Sequence, residues 1–131
     1  MSFKLHTLDN ASVMPIEEHP CAGIQPEVGM AMVMTDGKLV KATGTTKPTY
    51  ISVTHRSAAV EEGELIQVIR IGAAAIFETQ FAVAADGLKN GNKVAIHTDA
   101  ATVTATTASG VAEIVHMNGT AAGDSCLVRF P

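Results

Sequence analysis

The chain has 131 residues, of which 47% are hydrophobic and 4% aromatic, and its formal net charge is −4. This length predicts one domain, which is large enough to bury about two-thirds of its unfolded surface. The chain is acidic and has no cluster of Lys and Arg, so it lacks the basic surface that binds nucleic-acid phosphates. No stretch reaches the roughly 18 apolar residues that a membrane span requires. We therefore expect neither nucleic acid nor a membrane among its partners.

Residues 1–28 are predicted to form an extended N-terminal arm that precedes the folded domain. Three prolines in this stretch each remove a backbone donor and bias the preceding residue towards an extended conformation. Phe3, Leu5 and Leu8 give the arm apolar side chains to bury, so we expect it to become ordered on contact with a neighbour. On this interpretation, deletion of residues 1–14 leaves the domain folded and weakens its attachment to the partner.

Residues 29–131 are predicted to form a single β domain. The segment GMAMVMTDGKLVKAT places two strand-like runs on either side of Asp36-Gly37, a dipeptide that favours a type I′ hairpin turn. Further strand-like runs begin at Thr49, Glu64, Ala75, Lys93, Ala101, Gly110 and Ser125. Short strands at this spacing, separated by Gly, Asn and Asp, indicate an all-β fold, a small antiparallel β-barrel or sandwich.

Alternation along these strands also predicts the core, because side chains two residues apart lie on the same face. We expect the following side chains to be buried: Val53, Ile66, Val68, Phe77, Ile96, Val103, Ile114 and Val128.

The histidines are poorly spaced for a metal site. No two of the five are separated by one, three or four residues, whereas strand-borne sites commonly use such short spacings. Glu17-Glu18-His19-Pro20-Cys21 could supply three ligands, but a solvated acidic loop is the favoured interpretation. His97 and His116 could meet across a sheet, although two separate strand histidines with local partners are favoured. The sequence thus predicts no metal and no cofactor.

Candidate nucleophiles are equally few. Cys21 and Cys126 are predicted to be reduced thiols, and Cys126 alternates with the apolar residues that follow it, as an inert buried cysteine does. Ser125 lacks the strand–turn–helix context of a nucleophile elbow. The three carboxylates of the Glu61–Glu64 turn are predicted to be solvated. We therefore expect no catalytic residue, and a protein that is not an enzyme.

The order of these elements over residues 22–131 resembles that of the head decoration, or cement, proteins of tailed bacteriophages and prophages. The resemblance is carried by GMAMVMTDGKLVKATGTTKPTYIS, by EEGELIQVIRI, and by GLKNGNKVAIHTDAATVTATTASGVAEIV followed by GTAAGDSCLVRF. It implies a non-catalytic structural protein, made in the cytoplasm of a bacterial host, that binds the major capsid protein on the exterior of the virion. It also implies self-association as a homotrimer.

The stretch Ala100–Ala112 has no charged residue over 13 positions. On an exposed edge strand such a segment would promote aggregation, so we expect it to line a core or a subunit interface. Val103, Ala105 and Thr107 are therefore contact candidates for the capsid or a second subunit, together with Phe3, Leu5 and Leu8 of the arm.

Two other functions remain open at this point. The first is a β-barrel module that binds a ligand or carbohydrate, although one Tyr and four Phe offer few rings for stacking on sugars. The second is a small cupin-like enzyme, which the spacing of the histidines disfavours.

Overall fold

A computed structural model describes residues 2–7 and 15–131, and all statements about structure refer to these residues. Ten strands lie within them: β1 (Lys4–Thr7), β2 (Ile16–Cys21), β3 (Ala31–Thr35), β4 (Lys38–Lys41), β5 (Tyr50–Ser52), β6 (Glu64–Arg70), β7 (Ile76–Gln80), β8 (Lys93–Val94), β9 (Ala112–Met117) and β10 (Ser125–Arg129). In this part of the chain there is no helix with the length and apolar character that crossing a bilayer requires.

The strands form two five-stranded sheets. One is open, with the order β1-β7-β10-β9-β8, and the other is a closed barrel with the order β2-β4-β3-β5-β6. The predicted all-β fold is therefore confirmed, and the chain contains both a barrel and an open sheet. The pairing is antiparallel except between β2 and β4, which run parallel and pair at Cys21 and Leu39.

The predicted hairpin is present between β3 and β4. Thr35 pairs with Lys38 across a two-residue turn, and the φ angles of Asp36 and Gly37 are 50° and 77°. Two successive positive φ angles define a type I′ turn, whose twist matches that of the flanking strands. This local signal therefore predicted both the turn and the register of the hairpin.

Most of the predicted core is buried. The confirmed residues are Ile66, Val68, Phe77, Ile96, Val103, Ile114 and Val128. The prediction for Val53 was wrong, because this residue is half-exposed. β5 ends at Ser52, whose hydroxyl oxygen accepts a hydrogen bond from the backbone N–H of Thr54 at 3.1 Å. Ser52 and Thr54 are both buried, so these polar residues take the interior face and Val53 lies on the other.

The arm predicted over residues 1–28 requires correction. Within the described residues, β1 pairs with β7 in the open sheet and β2 pairs with β6 over six residues in the barrel. Both strands therefore belong to the same folded unit as residues 29–131. Pro20 is accommodated within β2 because β4 pairs with β2 only at Cys21, so a missing N–H removes no ladder bond on that side. Leu8 lies outside the described residues.

The region after β8 is less regular than its sequence predicts. The run Ala101–Thr107 forms only isolated bridges, in which Val103 pairs with Phe81 and with Ile96. This segment also links the two sheets, because the carbonyl of Ala100 accepts a hydrogen bond from the N–H of Ala31 in β3 at 2.7 Å. The barrel and the open sheet therefore share one continuous core.

Candidate functional site

Four polar side chains meet at the end of the barrel where β2 begins and β6 ends. Arg70 Nε and Nη2 donate to the two carboxylate oxygens of Glu17 at 3.0 and 3.1 Å, and Arg70 Nη2 also donates to the hydroxyl oxygen of Tyr50 at 2.9 Å. The His19 Nε2 lies 2.9 Å from Glu17 Oε1, and its ring centroid is 5.0 Å from that of Tyr50. The pairing of Tyr50 with Arg70, and of Glu17 with Val68, brings the groups together from three strands.

The electrostatics of this cluster are those of a structural clamp. The Arg70 guanidinium lowers the pKa of Glu17, with a smaller contribution from His19, and Glu17 in turn raises the pKa of Arg70. The guanidinium also lies 5.0 Å from the centroid of the Tyr50 ring, within reach of a cation–π interaction. Arg70 of β6 thus bridges Glu17 of β2, through a bidentate pair, and Tyr50 of β5, through one hydrogen bond.

The clamp corrects the interpretation of Glu17–Cys21 as a solvated acidic loop. The segment is β2, and alternation turns Glu17, His19 and Cys21 to one side, where Cys21 is fully buried. Sequence reasoning missed Tyr50 and Arg70 as partners. Both residues lie near the ends of predicted strands, so the sequence did place them in strands. It did not show which strands pair, because pairing between distant strands cannot be read from one sequence.

The other histidines are not brought together. His97 follows β8 in a turn, whereas His116 lies within β9 and pairs with Leu127 of β10. The described ranges contain no group of three or more His, Cys, Asp or Glu side chains arranged to hold a metal ion. In the acidic turn, Glu61 is exposed and Glu62 forms an ion pair with Lys38 at 3.0 Å.

Both thiols are enclosed in the core. Burial raises the pKa of Cys21, with smaller contributions from the negative charges of Glu64 and Glu62, and burial raises the pKa of Cys126 to about 12. Cys126 shares its buried face with Val128 and Phe130, as the alternation predicted. A thiol that does not ionise is a poor nucleophile.

We expect both cysteines to react slowly with a thiol reagent such as DTNB. At pH 8 only about one in 10⁴ of the Cys126 thiols is ionised, against roughly one in four for an unperturbed cysteine. The rates are measured in native protein and in guanidinium, with Cys21→Ala and Cys126→Ala separating the two signals. Native rates as fast as those of the unfolded chain would contradict the assigned burial.

The residues predicted as contacts have different environments. Phe3 and Val103 are buried within the chain, so in this structure neither side chain is exposed to a partner. Ala105 is half-buried and Thr107 is exposed, so both remain candidates. Phe3 instead packs its ring against Phe130, with the centroids 5.4 Å apart.

Among the predicted contact residues of the arm that the structure describes, Leu5 is exposed. It lies on β1, an edge strand of the open sheet, and is 42% exposed. Lys4 and His6 beside it are also exposed, and the pairing with β7 is irregular between Leu5 and Thr7. An edge strand with an exposed apolar side chain can accept a further strand.

A shallow groove lies where the barrel meets the open-sheet loops. Its volume is about 670 Å³, and its lining includes Glu27, Met30, Lys41 and Asp99. The Asp99 carboxylate is already engaged, because Oδ1 accepts hydrogen bonds from the N–H groups of Ala101 and Thr102. The Glu27 carboxylate is engaged as well, because Gln25 Nε2 lies 3.3 Å from Oε1 and His55 Nδ1 lies 2.9 Å from Oε2. Lys41 is exposed and supplies the basic group of the lining.

The chain matches no known protein-family model and no curated protein.

Proposed function

We propose that this protein is a structural capsid decoration protein of a tailed bacteriophage, which binds the exterior of the assembled head and stabilises it without catalysis. The proposal is supported by the resemblance over residues 22–131 and by the all-β fold. Its partners are the major capsid protein and further copies of itself in a homotrimer. It is made in the cytoplasm of the bacterial host and ends on the outside of the virion.

The observation that carries the proposal is the edge strand β1. The start of β1 is held against the core by Phe3, whose side chain is buried. The backbone N–H of Phe3 also donates a hydrogen bond to the carbonyl of Gly29 at 2.9 Å. The outer edge of β1 carries the exposed Leu5. Among the described residues, β1 pairs with β7 on one side and with no strand on the other. Because β1 is already ordered, a strand of the capsid protein can pair with it at a reduced entropic cost.

Such binding stabilises the head by mass action. A protein that binds the expanded, assembled lattice and no other state lowers the free energy of that state by RT ln(1 + [L]/Kd) at each site. The capsid gains stability from added interfaces, and the decoration protein itself performs no chemistry.

The test is cosedimentation with capsids assembled from the major capsid protein of the same phage. We expect binding to expanded capsids and none to unexpanded ones. The variant Leu5→Asp is expected to bind about tenfold more weakly or worse, because a charge replaces an apolar contact at the pairing edge.

Val83→Asp is the matched control, because Val83 is 43% exposed and lies in the loop after β7. It is expected to bind like the wild type. Absence of binding by the wild-type protein would refute the proposed function. Undiminished binding by a folded Leu5→Asp variant would place the capsid contact elsewhere on the molecule.

The groove lined by Glu27 and Lys41 favours a second candidate, a module that binds a small ligand or carbohydrate. Its volume of about 670 Å³ lies within the range of small-molecule sites. A glycan array distinguishes the two functions, because a decoration protein has no need to bind any glycan on it.

A further inference from the structure

The barrel has an outward face, formed by β2 and β6, that is distinct from the β1 edge. Paired residues of adjacent strands point to the same side of a sheet. The face opposite the buried Ile66 and Val68 therefore consists of three cross-strand rows. We call it the β2–β6 face, and its rows are Ile16 with Ile69, Glu18 with Gln67, and Pro20 with Leu65.

The two outer rows of this face are apolar. Ile16 is 60% exposed and Leu65 is 55% exposed, and each is paired with another apolar residue, Ile69 and Pro20 respectively. Successive rows lie two residues apart along the strands, or about 6.7 Å, so the two apolar rows are about 13 Å apart. Apolar side chains grouped in this way indicate a contact surface more strongly than single exposed residues do.

The middle row carries one negative charge. Within the described residues, Glu18 has no ion-pair partner, whereas the neighbouring Glu17 is paired with Arg70 on the interior side. A groove of about 400 Å³ runs beside this row, between Glu18, Gln67 and Leu65 on one wall and residues 53–56 on the other. Arg56, which belongs to the second wall, forms an ion pair with Glu64, with 3.6 Å between Arg56 Nε and Glu64 Oε2.

This charge distribution disfavours packing of the face on its own copy about a two-fold axis, and it favours a partner with a basic group. If two copies of the chain packed through this face about a two-fold axis, their Glu18 carboxylates would be brought towards each other, and like charges at an interface are unfavourable. A different chain with a basic side chain opposite Glu18 satisfies the carboxylate and leaves the apolar rows free to pack. The row spacing matches alternate side chains of an extended strand.

We propose that the β2–β6 face docks an extended segment of another protein whose alternate side chains are apolar, basic and apolar. The apolar side chains pack on the rows of Ile16 and Leu65, and the basic side chain lies opposite Glu18. This site is separate from the β1 edge and does not depend on the proposed capsid function.

The test uses a defined peptide and no capsid. The probe is the capped heptapeptide Thr-Leu-Thr-Lys-Thr-Leu-Thr, titrated into ¹⁵N-labelled protein and followed by amide chemical shifts. We expect the shift changes to concentrate on β2 and β6. The peptide with Glu in place of Lys is expected to bind about tenfold more weakly at low salt, because the basic group no longer meets Glu18.

Three variants make the result specific. Glu18→Lys should reverse the preference between the two peptides, and Leu65→Thr, which retains strand propensity, should weaken both by about tenfold or more. Val83→Thr should change neither. The proposal is overturned if shifts do not localise to the face, if the two peptides bind equally, or if Leu65→Thr lowers the oligomeric mass measured by light scattering, which would make the face a contact between copies of this chain.

Discussion

Replacement of Phe3 by alanine is expected to lower the free energy of unfolding by about 3–5 kcal/mol, the usual cost of removing a buried phenylalanine ring. The side chain is 2% exposed and contacts Phe130 edge-on, and Phe130 in turn packs against Phe77 of β7. Truncation therefore leaves a cavity at the point where β1 joins the core. The effect is measured by urea denaturation followed by circular dichroism.

Leu5→Ala is the control, two residues further along the chain in β1. Leu5 is partly exposed, so its truncation is expected to cost no more than about 1 kcal/mol. If Phe3→Ala were as mild as Leu5→Ala, β1 would be detachable from the core, as the sequence had predicted for the arm.

The same comparison revises the expectation for deletion of residues 1–14. Such a truncation removes Phe3 and the whole of β1. We therefore now expect it to lower the stability of the domain, whereas the sequence alone predicted that the domain would fold equally well without the arm. Weakened attachment to a capsid after this deletion would not by itself identify a contact surface. The single substitution Leu5→Asp separates contact from stability, because Leu5 contributes little to the core.

The N-terminal region shows where sequence reasoning reaches its limit. Its three prolines are typical of irregular chain, and neither β1 nor β2 has a long run of β-branched residues. Both strands exist because of long-range pairing, with β7 and β6 respectively. Tertiary context overrides local propensity in such segments, and no local pattern contains that information.

Where the signal was local, the prediction held. The Asp36-Gly37 turn depends on the preferences of two adjacent residues for positive φ angles, and it was confirmed together with the register of its hairpin. Burial of Cys126 followed from alternation along a single strand and was also confirmed. The clamp of Glu17 with Arg70 joins residues 53 positions apart. Alternation predicts on which face each of these residues lies, but not which residue it will meet.

The uncharged stretch Ala100–Ala112 is explained largely by the chain's own fold. Ala100, Thr102, Val103 and Ala112 are buried within the protein, so charges at these positions would have to be desolvated on folding. The carboxylate of Asp99 orders the start of the stretch by accepting hydrogen bonds from two backbone N–H groups. The surface that this stretch offers to a partner therefore consists mainly of the exposed turn at residues 106–109, with the half-buried Ala105 beside it.

Substitution of Gly110 by alanine, at the end of that turn, is expected to destabilise the protein by about 1–3 kcal/mol, as overpacking does. A β-carbon at this position would overlap the backbone of Lys93 and Val94 in β8. That backbone cannot easily move away, because Lys93 pairs with Glu113, and the carbonyl of Val94 accepts a hydrogen bond from the N–H of Val111 at 3.0 Å. The loss is measured as a lower midpoint in urea.

Gly72→Ala is the matched control for this substitution. A β-carbon at Gly72 meets no atom within 4 Å, and its φ angle lies outside the positive range that disfavours alanine. Its replacement is therefore expected to leave stability unchanged, or to raise it by up to about 1 kcal/mol by reducing the entropy of the unfolded chain. Equal midpoints for the two variants would show that the turn at residues 106–109 is not held against β8. The turn and the residues beside it would then be candidates for a larger contact surface.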